Sequence, residues 1–309
     1  MNQKIKTSPF DGLLLINKDP GGTSHDVVAR VRRILGTREV GHAGTLDPMA
    51  GGLMVLLIGE GTKLSHYILE GNKAYRGRAR LGVSTDTLDV TGQVLREGSV
   101  TCSESQIRDV CQALQGEFQW EVPLFSAVKV QGKRLHEYAR EGTEVQRPLK
   151  TMKFWGLEVL SISGAEVEFD LQCSKGSFIR SWIHQMGQNL GCGAAMSALL
   201  RTSSVPYTLE RAMSLEQLEN AWRGRPESLS CLIPMGEALP LIRKVRVKGA
   251  DQGLLMNGQI SHDLRSMLIT QFRPGQDALF QVHSQESQLL ALVGLEPEKG
   301  FVLRRVFRP

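Results

Sequence analysis

Residues 41–52 read GHAGTLDPMAGG, a segment in which four glycines surround a single carboxylate, Asp47, with an imidazole, His42, five residues before it. A carboxylate so presented can attack an electrophilic carbon or accept a proton, provided that it stays ionised and within reach. Asp, Pro and Gly also build ordinary surface turns, and taken alone the segment reads as one. Two further residues have chemistry to offer. Tyr75 opens YRGRARL, where Tyr75, Gly77, Ala79 and Leu81 fall on one face of a strand and Arg76, Arg78 and Arg80 on the other. Arg180 stands in the first turn of a helix predicted after SKG, where the positive end of the helix dipole disfavours a cation. An anion beside its guanidinium would offset that cost, whether a functional carboxylate or a glutamate on the surface.

These side chains need elements to position them. GLLLI at 12–16 predicts a short buried strand. From Ser24, read as an N-cap, Val27, Val28, Val31, Ile34 and Leu35 recur at helical spacing, with Arg30, Arg32 and Arg33 on the solvated side. LMVLLI at 53–58 predicts a second buried strand, and VEFDLQC at 167–173 a third that points Val167, Phe169, Leu171 and Cys173 inward. Helices are expected around 103–115 and from SKG to Gly191, the latter with Ile179, Ile183, Met186 and Leu190 on its apolar side. Residues 123–149 are loop-rich and basic, with Lys129, Lys133, Arg134, Arg140 and Arg147, and read as an excursion from the core. A boundary is expected around 233–247, and beyond it the short runs of 248–309 between glycines and prolines predict a small all-β module. Strands and helices intermix without a regular βαβ period, so the class is α+β, divided as 1–238 and 239–309.

Composition narrows the chemistry. A net charge of +5 with pI near 9.0 favours a polyanionic partner without proving one. The five cysteines form no C-x-x-C pair and the seven histidines lack ligand spacing, so neither a metal site nor a disulfide framework is expected. No apolar run approaches the about 20 residues that cross a bilayer, and the N-terminus has no apolar signal core, so a cytoplasmic protein is expected. No G-x-G-x-x-G, G-x-x-x-x-G-K-[ST] or G-x-S-x-G motif occurs. TDTLDVTG at 85–92 invites comparison with aspartyl-phosphate phosphatases, but Asp86 and Asp89 are three residues apart where that motif needs two.

Several long motifs in register carry a resemblance. GHAGTLDPMAGGLMVLLIGEGTK, AYRGRARLGVSTDTLDVTGQ, VPLFSAVKVQGKRLHEYAREG and SKGSFIRSWIHQMGQNLGCGAAMSALLRT together closely resemble the bacterial TruB family of tRNA pseudouridine-55 synthases, across essentially the first 205 residues. The resemblance implies a mixed-sheet synthase core, a C-terminal module similar to a PUA domain, and isomerisation of the T-loop uridine of tRNA. By position, Asp47 matches the family nucleophile, Tyr75 the tyrosine that stacks on the target base, and Arg180 the arginine paired with the catalytic carboxylate. His42 matches a histidine that wedges into the T-loop, and Leu199 an apolar pocket residue. Phe178 falls where the family often has tyrosine, Pro20 is shifted within KDPGGTS, and VPLFS replaces a common P-P-x-Y-S.

The implied reaction breaks the N1–C1′ bond, turns the base and rejoins it through C5, with no net redox change, so no cofactor is expected. Asp47 would attack the sugar or act on it as base while Arg180 keeps it ionised. Tyr75 would hold the detached base by stacking, and His42 would fill the gap left by an extruded nucleotide. The glycines around Asp47 are expected to let RNA backbone come close. The T-arm of tRNA is the expected partner of a monomeric enzyme. An RNA-binding or tRNA-folding protein on the same scaffold is the alternative, as is a synthase acting on another RNA.

Overall fold

The computed structural model describes residues 10–223 and 231–308. Most of the N-terminal stretch read above for a signal segment lies outside them. In chain order the elements are β1 (Gly12–Lys18), α1 (Ser24–Leu35), β2 (Val40–His42), β3 (Gly51–Ile58), α2 (Ser65–Leu69), β4 (Lys73–Leu81), β5 (Val83–Thr85) and β6 (Val94–Glu97). Then follow α3 (Glu104–Ala113), β7 (Gly116–Glu121), β8 (Lys129–Val130), β9 (Lys133–Arg134), α4 (Leu135–Glu141), β10 (Leu149–Ser163), β11 (Glu166–Cys173) and α5 (Ile179–Asn189). The remainder is β12 (Ala194–Ser204), β13 (Tyr207–Thr208), α6 (Leu215–Trp222), β14 (Ile233–Pro234), β15 (Arg243–Arg246), α7 (Gly249–Met256), α8 (His262–Gln271), β16 (Leu279–His283), β17 (Leu289–Glu296) and β18 (Gly300–Val306).

A ten-stranded sheet runs β14-β1-β3-β12-β4-β11-β10-β7, with β13 beside β12 and β2 beside β3. Its pairings are antiparallel except β12 with β3, which makes it a mixed sheet. That parallel contact brings Leu200 and Arg201 opposite Gly51 and Gly52, while the other edge of β12 sets Arg201 opposite Tyr75. Strand β1 up to Ile16 and the whole of β3 are apolar without interruption because both of their faces are covered. Leu14, Ile16, Met54, Leu56 and Ile58 join one core cluster with α1 and α5, and Leu13, Leu15, Leu53, Val55 and Leu57 join another. On β11 the expected alternation holds, with Val167, Phe169, Leu171 and Cys173 buried. The Phe169 ring fills the space above Gly77, where a β-carbon would come within 2.5 Å of it.

The second sheet runs β15-β16-β17-β18. Its own core contains Val245, Phe280, Val282 and Leu290. Leu289, Leu292 and Phe307 instead join Leu13, Leu53 and Leu57, so this sheet packs on the larger one through a shared cluster. The reading of 248–309 named strands and no helices. The strands are there, and α7 and α8 stand between β15 and β16 in addition.

One cap is corrected. The N-cap of α1 is Thr23, whose hydroxyl accepts from Asp26 N at 3.1 Å while the Asp26 carboxylate accepts from Thr23 N at 2.8 Å. Ser24 is the first helical residue and is buried. Its hydroxyl donates to Leu46 O and accepts from Leu46 N, which ties the helix to the Asp47 loop. Among the described residues no helix is long and apolar enough to cross a membrane.

Candidate active site

The loop between β2 and β3 presents Asp47 at the wall of a cleft of about 340 Å³ whose lining includes Tyr75, Phe178, Arg180, Leu199 and Arg201. Five of the sequence-predicted residues therefore meet in one place. His42 stands apart at the end of β2, paired with Leu56, and is not among the residues that line the cleft. Burial, and secondarily the charge of Arg201, push its imidazole pKa down, so the ring is neutral at neutral pH.

Arg180 comes from the first turn of α5, a turn with no acidic residue and no side-chain cap. Its Nε lies 2.9 Å from Asp47 Oδ2 and its Nη2 lies 3.3 Å from Asp47 Oδ1, a two-pronged grip on the carboxylate. Nη1 donates to Thr87 O at 2.7 Å and Nη2 to Phe125 O at 2.9 Å, so the guanidinium is fixed from three segments. A second carboxylate, Asp89, stands 4.0 Å behind it. Asp89 accepts from Thr87 Oγ1 at 2.9 Å and Thr91 N at 3.0 Å. Arg180 is 4% exposed, whereas the Asp47 side chain is 37% exposed. The cation is buried and the carboxylate faces the cleft, the arrangement that a carboxylate acting on an incoming molecule requires.

Two buried cations hold the loop on either side of Asp47. Lys18, at the end of β1, donates to Ala50 O at 2.6 Å, Pro48 O at 3.1 Å and Asp47 O at 3.4 Å. Arg201, 1% exposed on β12, donates to Leu53 O at 2.7 Å, Gly44 O at 3.1 Å and Thr45 O at 3.4 Å. Backbone carbonyls thus replace the water that each cation gave up. Two of the glycines make room for the protein itself. A β-carbon at Gly52, where φ is +99°, would lie 2.4 Å from Arg201 O, and one at Gly51 would lie 3.1 Å from Lys18 O. At Gly44 it would meet Arg201 Nη1 at 3.4 Å. Gly51 and Gly52 admit the protein's own clamps, while Gly44, which lines the cleft, meets Arg201 only at ordinary contact distance.

Tyr75 lies in the β4 register opposite Leu171 on one side and Arg201 on the other. Burial raises its phenol pKa, with the Arg201 guanidinium pulling the opposite way. Lys73, two residues earlier, is buried and donates to Leu69 O at 2.7 Å and to Gly71 O. Burial, reinforced by Arg201, pulls its ammonium down to about 8. Leu199 lies opposite Gly77 and closes the apolar side of the cleft.

Sequence reasoning missed Lys18, Lys73, Asp89 and Arg201. Lys18 and Arg201 each follow closely on an apolar run, in GLLLINK and SALLRT. A cation in such a strand must find acceptors, and that was the available signal. Asp89 lies in TDTLDVTG, where its spacing from Asp86 gives no hint of a partner at Arg180.

Residues 32–179 match the N-terminal domain of TruB family pseudouridylate synthase, and residues 180–240 match the tRNA pseudouridylate synthase B C-terminal domain. Strands β15 to β18 lie beyond both ranges. A Bdellovibrio bacteriovorus protein named tRNA pseudouridine synthase B is 56% identical over 302 residues, 97% of each chain. One of the same name from Alkaliphilus oremlandii is 41% identical over 249 residues, 81% of this chain and 82% of that one. Among solved structures, a Cbf5-Nop10-Gar1 complex superposes with a TM-score of 0.72 at 27% identity, covering 99% of this chain and 88% of the other. An archaeal box H/ACA sRNP Nop10-Cbf5 complex gives a TM-score of 0.69 at 23% identity over 100% and 89%, a likeness of fold.

Proposed function

The chain belongs to the TruB family of pseudouridylate synthases, and we propose that it converts uridine 55, in the T-loop of tRNA, to pseudouridine. It is a tRNA-modifying isomerase, as the relatives' shared name states of them. The observation that carries the assignment of roles is the half-exposed Asp47 carboxylate gripped by the buried Arg180 at 2.9 Å, inside a cleft floored by Tyr75.

In this reading the target uridine leaves its stack and enters the cleft, with the ribose at Asp47 and the base against Tyr75 and Leu199. The neutral His42 ring, outside the cleft, fills the vacated place in the RNA loop. Asp47 acts on the ribose, and the N1–C1′ bond breaks with its electron pair going to the uracil. The freed ring turns on the Tyr75 face until C5 bonds to C1′. C5 then loses its proton and N1 gains one, so atoms and electrons balance without redox or added water, and no cofactor is called upon. Because burial keeps the Tyr75 phenol protonated at neutral pH, it receives the C5 proton only while passing its own on.

Residues 1–238 serve in this reading as the synthase unit and 239–309 as an RNA-binding module similar to a PUA domain, which adds affinity for the tRNA body. The enzyme acts as a monomer in the cytoplasm, a setting that its five free cysteines support. The test is Asp47→Asn, assayed for isomerisation of a T-arm hairpin and for tRNA binding side by side. Turnover falls on the order of 10⁴-fold or more while binding stays within about threefold, because affinity comes from phosphate and shape contacts spread over the surface. Substantial residual turnover removes Asp47 from its role.

A further inference from the structure

Lys150 lies at the start of β10, opposite Trp120 on β7. Its side chain crosses to the turn that leads into α5, where the ammonium stands 5.9 Å from the centroid of the Phe178 ring. Gly176, at φ +70°, provides the room, since a β-carbon there would lie 2.2 Å from Lys150 Nζ. Gly176, Ser177 and Phe178 all line the cleft that holds Asp47, and Gly176 is exposed at its rim. Neighbouring Lys175 is paired with Glu70. Lys150 is not: among the described residues its ammonium has the Phe178 face and no hydrogen-bonding or ion-pair partner. Burial and the charge of Lys175 both push its pKa down.

A lysine that is half withdrawn from water ordinarily gains acceptors in exchange, and an aromatic face offsets only part of the loss because it accepts no conventional hydrogen bond. Three N–H donors are therefore held at the cleft rim, on a strand, with their direction limited by Gly176 and Phe178. The ligand that suits them is anionic, compact and delivered from outside. We infer that Lys150 and the Gly176 turn form a phosphate subsite that takes a backbone phosphodiester adjoining the nucleotide seated in the cleft. This rests on the proposed reaction. With the base directed inward to Tyr75 and the ribose at Asp47, the phosphates lie on the far side of the sugar and face the rim.

The experiment measures the dissociation constants of wild type, Lys150→Met and Lys150→Arg for T-arm hairpins. The hairpins carry either an ordinary backbone or one neutral methylphosphonate, placed on the 5′ or the 3′ side of the target uridine. On the ordinary hairpin Lys150→Met binds about tenfold more weakly, and the slope of log affinity against log salt flattens by about 0.7–0.9, the share of one phosphate. Lys150→Arg retains most of the affinity. At one of the two positions the methylphosphonate weakens wild type by the same factor and has no further effect on Lys150→Met. The readout is that coupling, which a general folding defect does not produce. Additive losses at both positions, or a Lys150→Met protein with wild-type affinity and salt slope, overturn the subsite. Wild-type turnover of the ordinary hairpin, run in parallel, keeps the two readings distinct. If wild type forms no pseudouridine the proposed function fails, whereas normal turnover without coupling sinks the subsite alone.

Discussion

Strand β4 turns Arg76, Arg78 and Arg80 to solvent on one face and Tyr75 to the cleft on the other, where Arg180 and Arg201 reach in from α5 and β12. The outward arginines face an acidic row on β11, with Arg76 opposite Asp170, Arg78 opposite Glu168 and Arg80 opposite Glu166. Arg76 makes two bonds to Asp170, at 2.9 and 2.8 Å, yet its side chain is half exposed. Arg201 has no such row and instead holds three backbone carbonyls in a dry interior. One residue type thus does two jobs. In water a guanidinium neutralises a surface and is screened, whereas once buried it fixes the path of the chain, because every group it leaves would go unsatisfied.

The two faces of β4 can be set against each other by changing adjacent residues. Tyr75→Phe keeps the ring and removes the hydroxyl. If the phenol relays the C5 proton, single-turnover isomerisation of a T-arm hairpin slows by about 10²–10⁴-fold, the usual share of positioned acid–base catalysis. A phenylalanine variant as fast as wild type would confine Tyr75 to stacking.

Arg201→Met tests the clamp. It frees the carbonyls of Gly44, Thr45 and Leu53, and urea unfolding is expected to show a loss of about 3 kcal/mol or more, as for several buried acceptors left without a donor. A loss no larger than that of a surface change would mean that water takes the place of the guanidinium.

Lys73 gives a pH signature. Its ammonium is lowered from 10.5 to about 8, chiefly by burial, so folding disfavours the protonated form. Below pH 8 the cost is present in full. As pH rises from about 8 to 10.5 the folded protein has shed this proton while the unfolded chain still binds it, and native stability increases relative to a Lys73→Met variant. Parallel stability curves for the two proteins across that window would remove Lys73 as the titrating group.

The smallest effect is on the outer face. Arg76→Ala, Asp170→Ala and the double variant should leave the urea midpoint nearly unchanged and turnover within about twofold, because an exposed pair is screened and must order two side chains. A large loss of turnover would show that the arginine row meets RNA.

The sequence made the scaffold around the cleft legible wherever burial leaves a period. Runs buried on both faces marked β1 and β3, and alternation marked β4 and β11. Arg180 drew notice by standing at the wrong end of a helix. What stayed hidden depends on partners far along the chain. Arg201 binds carbonyls of residues 44, 45 and 53, and carbonyls have no signature in a sequence. Gly51 and Gly52 were legible as a need for space, but not as space reserved for Lys18 and Arg201. Ser24 lost the capping position to Thr23 because Asp26 completes a reciprocal pair with Thr23, and a buried contact to Leu46 employs the Ser24 hydroxyl elsewhere. In α7, which contains Gly249 and Gly253, no apolar stripe announced a helix, and tertiary contact with β17 supports it instead.

The cluster shared by the two sheets also sets a timetable for the chain's synthesis. Leu13, Leu53 and Leu57 leave the ribosome long before Phe307. At about 5–20 residues per second, the part of the β1 and β3 flank that Phe307 covers waits on the order of 15–60 s, with Leu64 and Ile68 arriving much sooner. During that interval the nascent protein displays a hydrophobic strand pair to the cell, and a chaperone that shields apolar surface would find its substrate there rather than at the cleft.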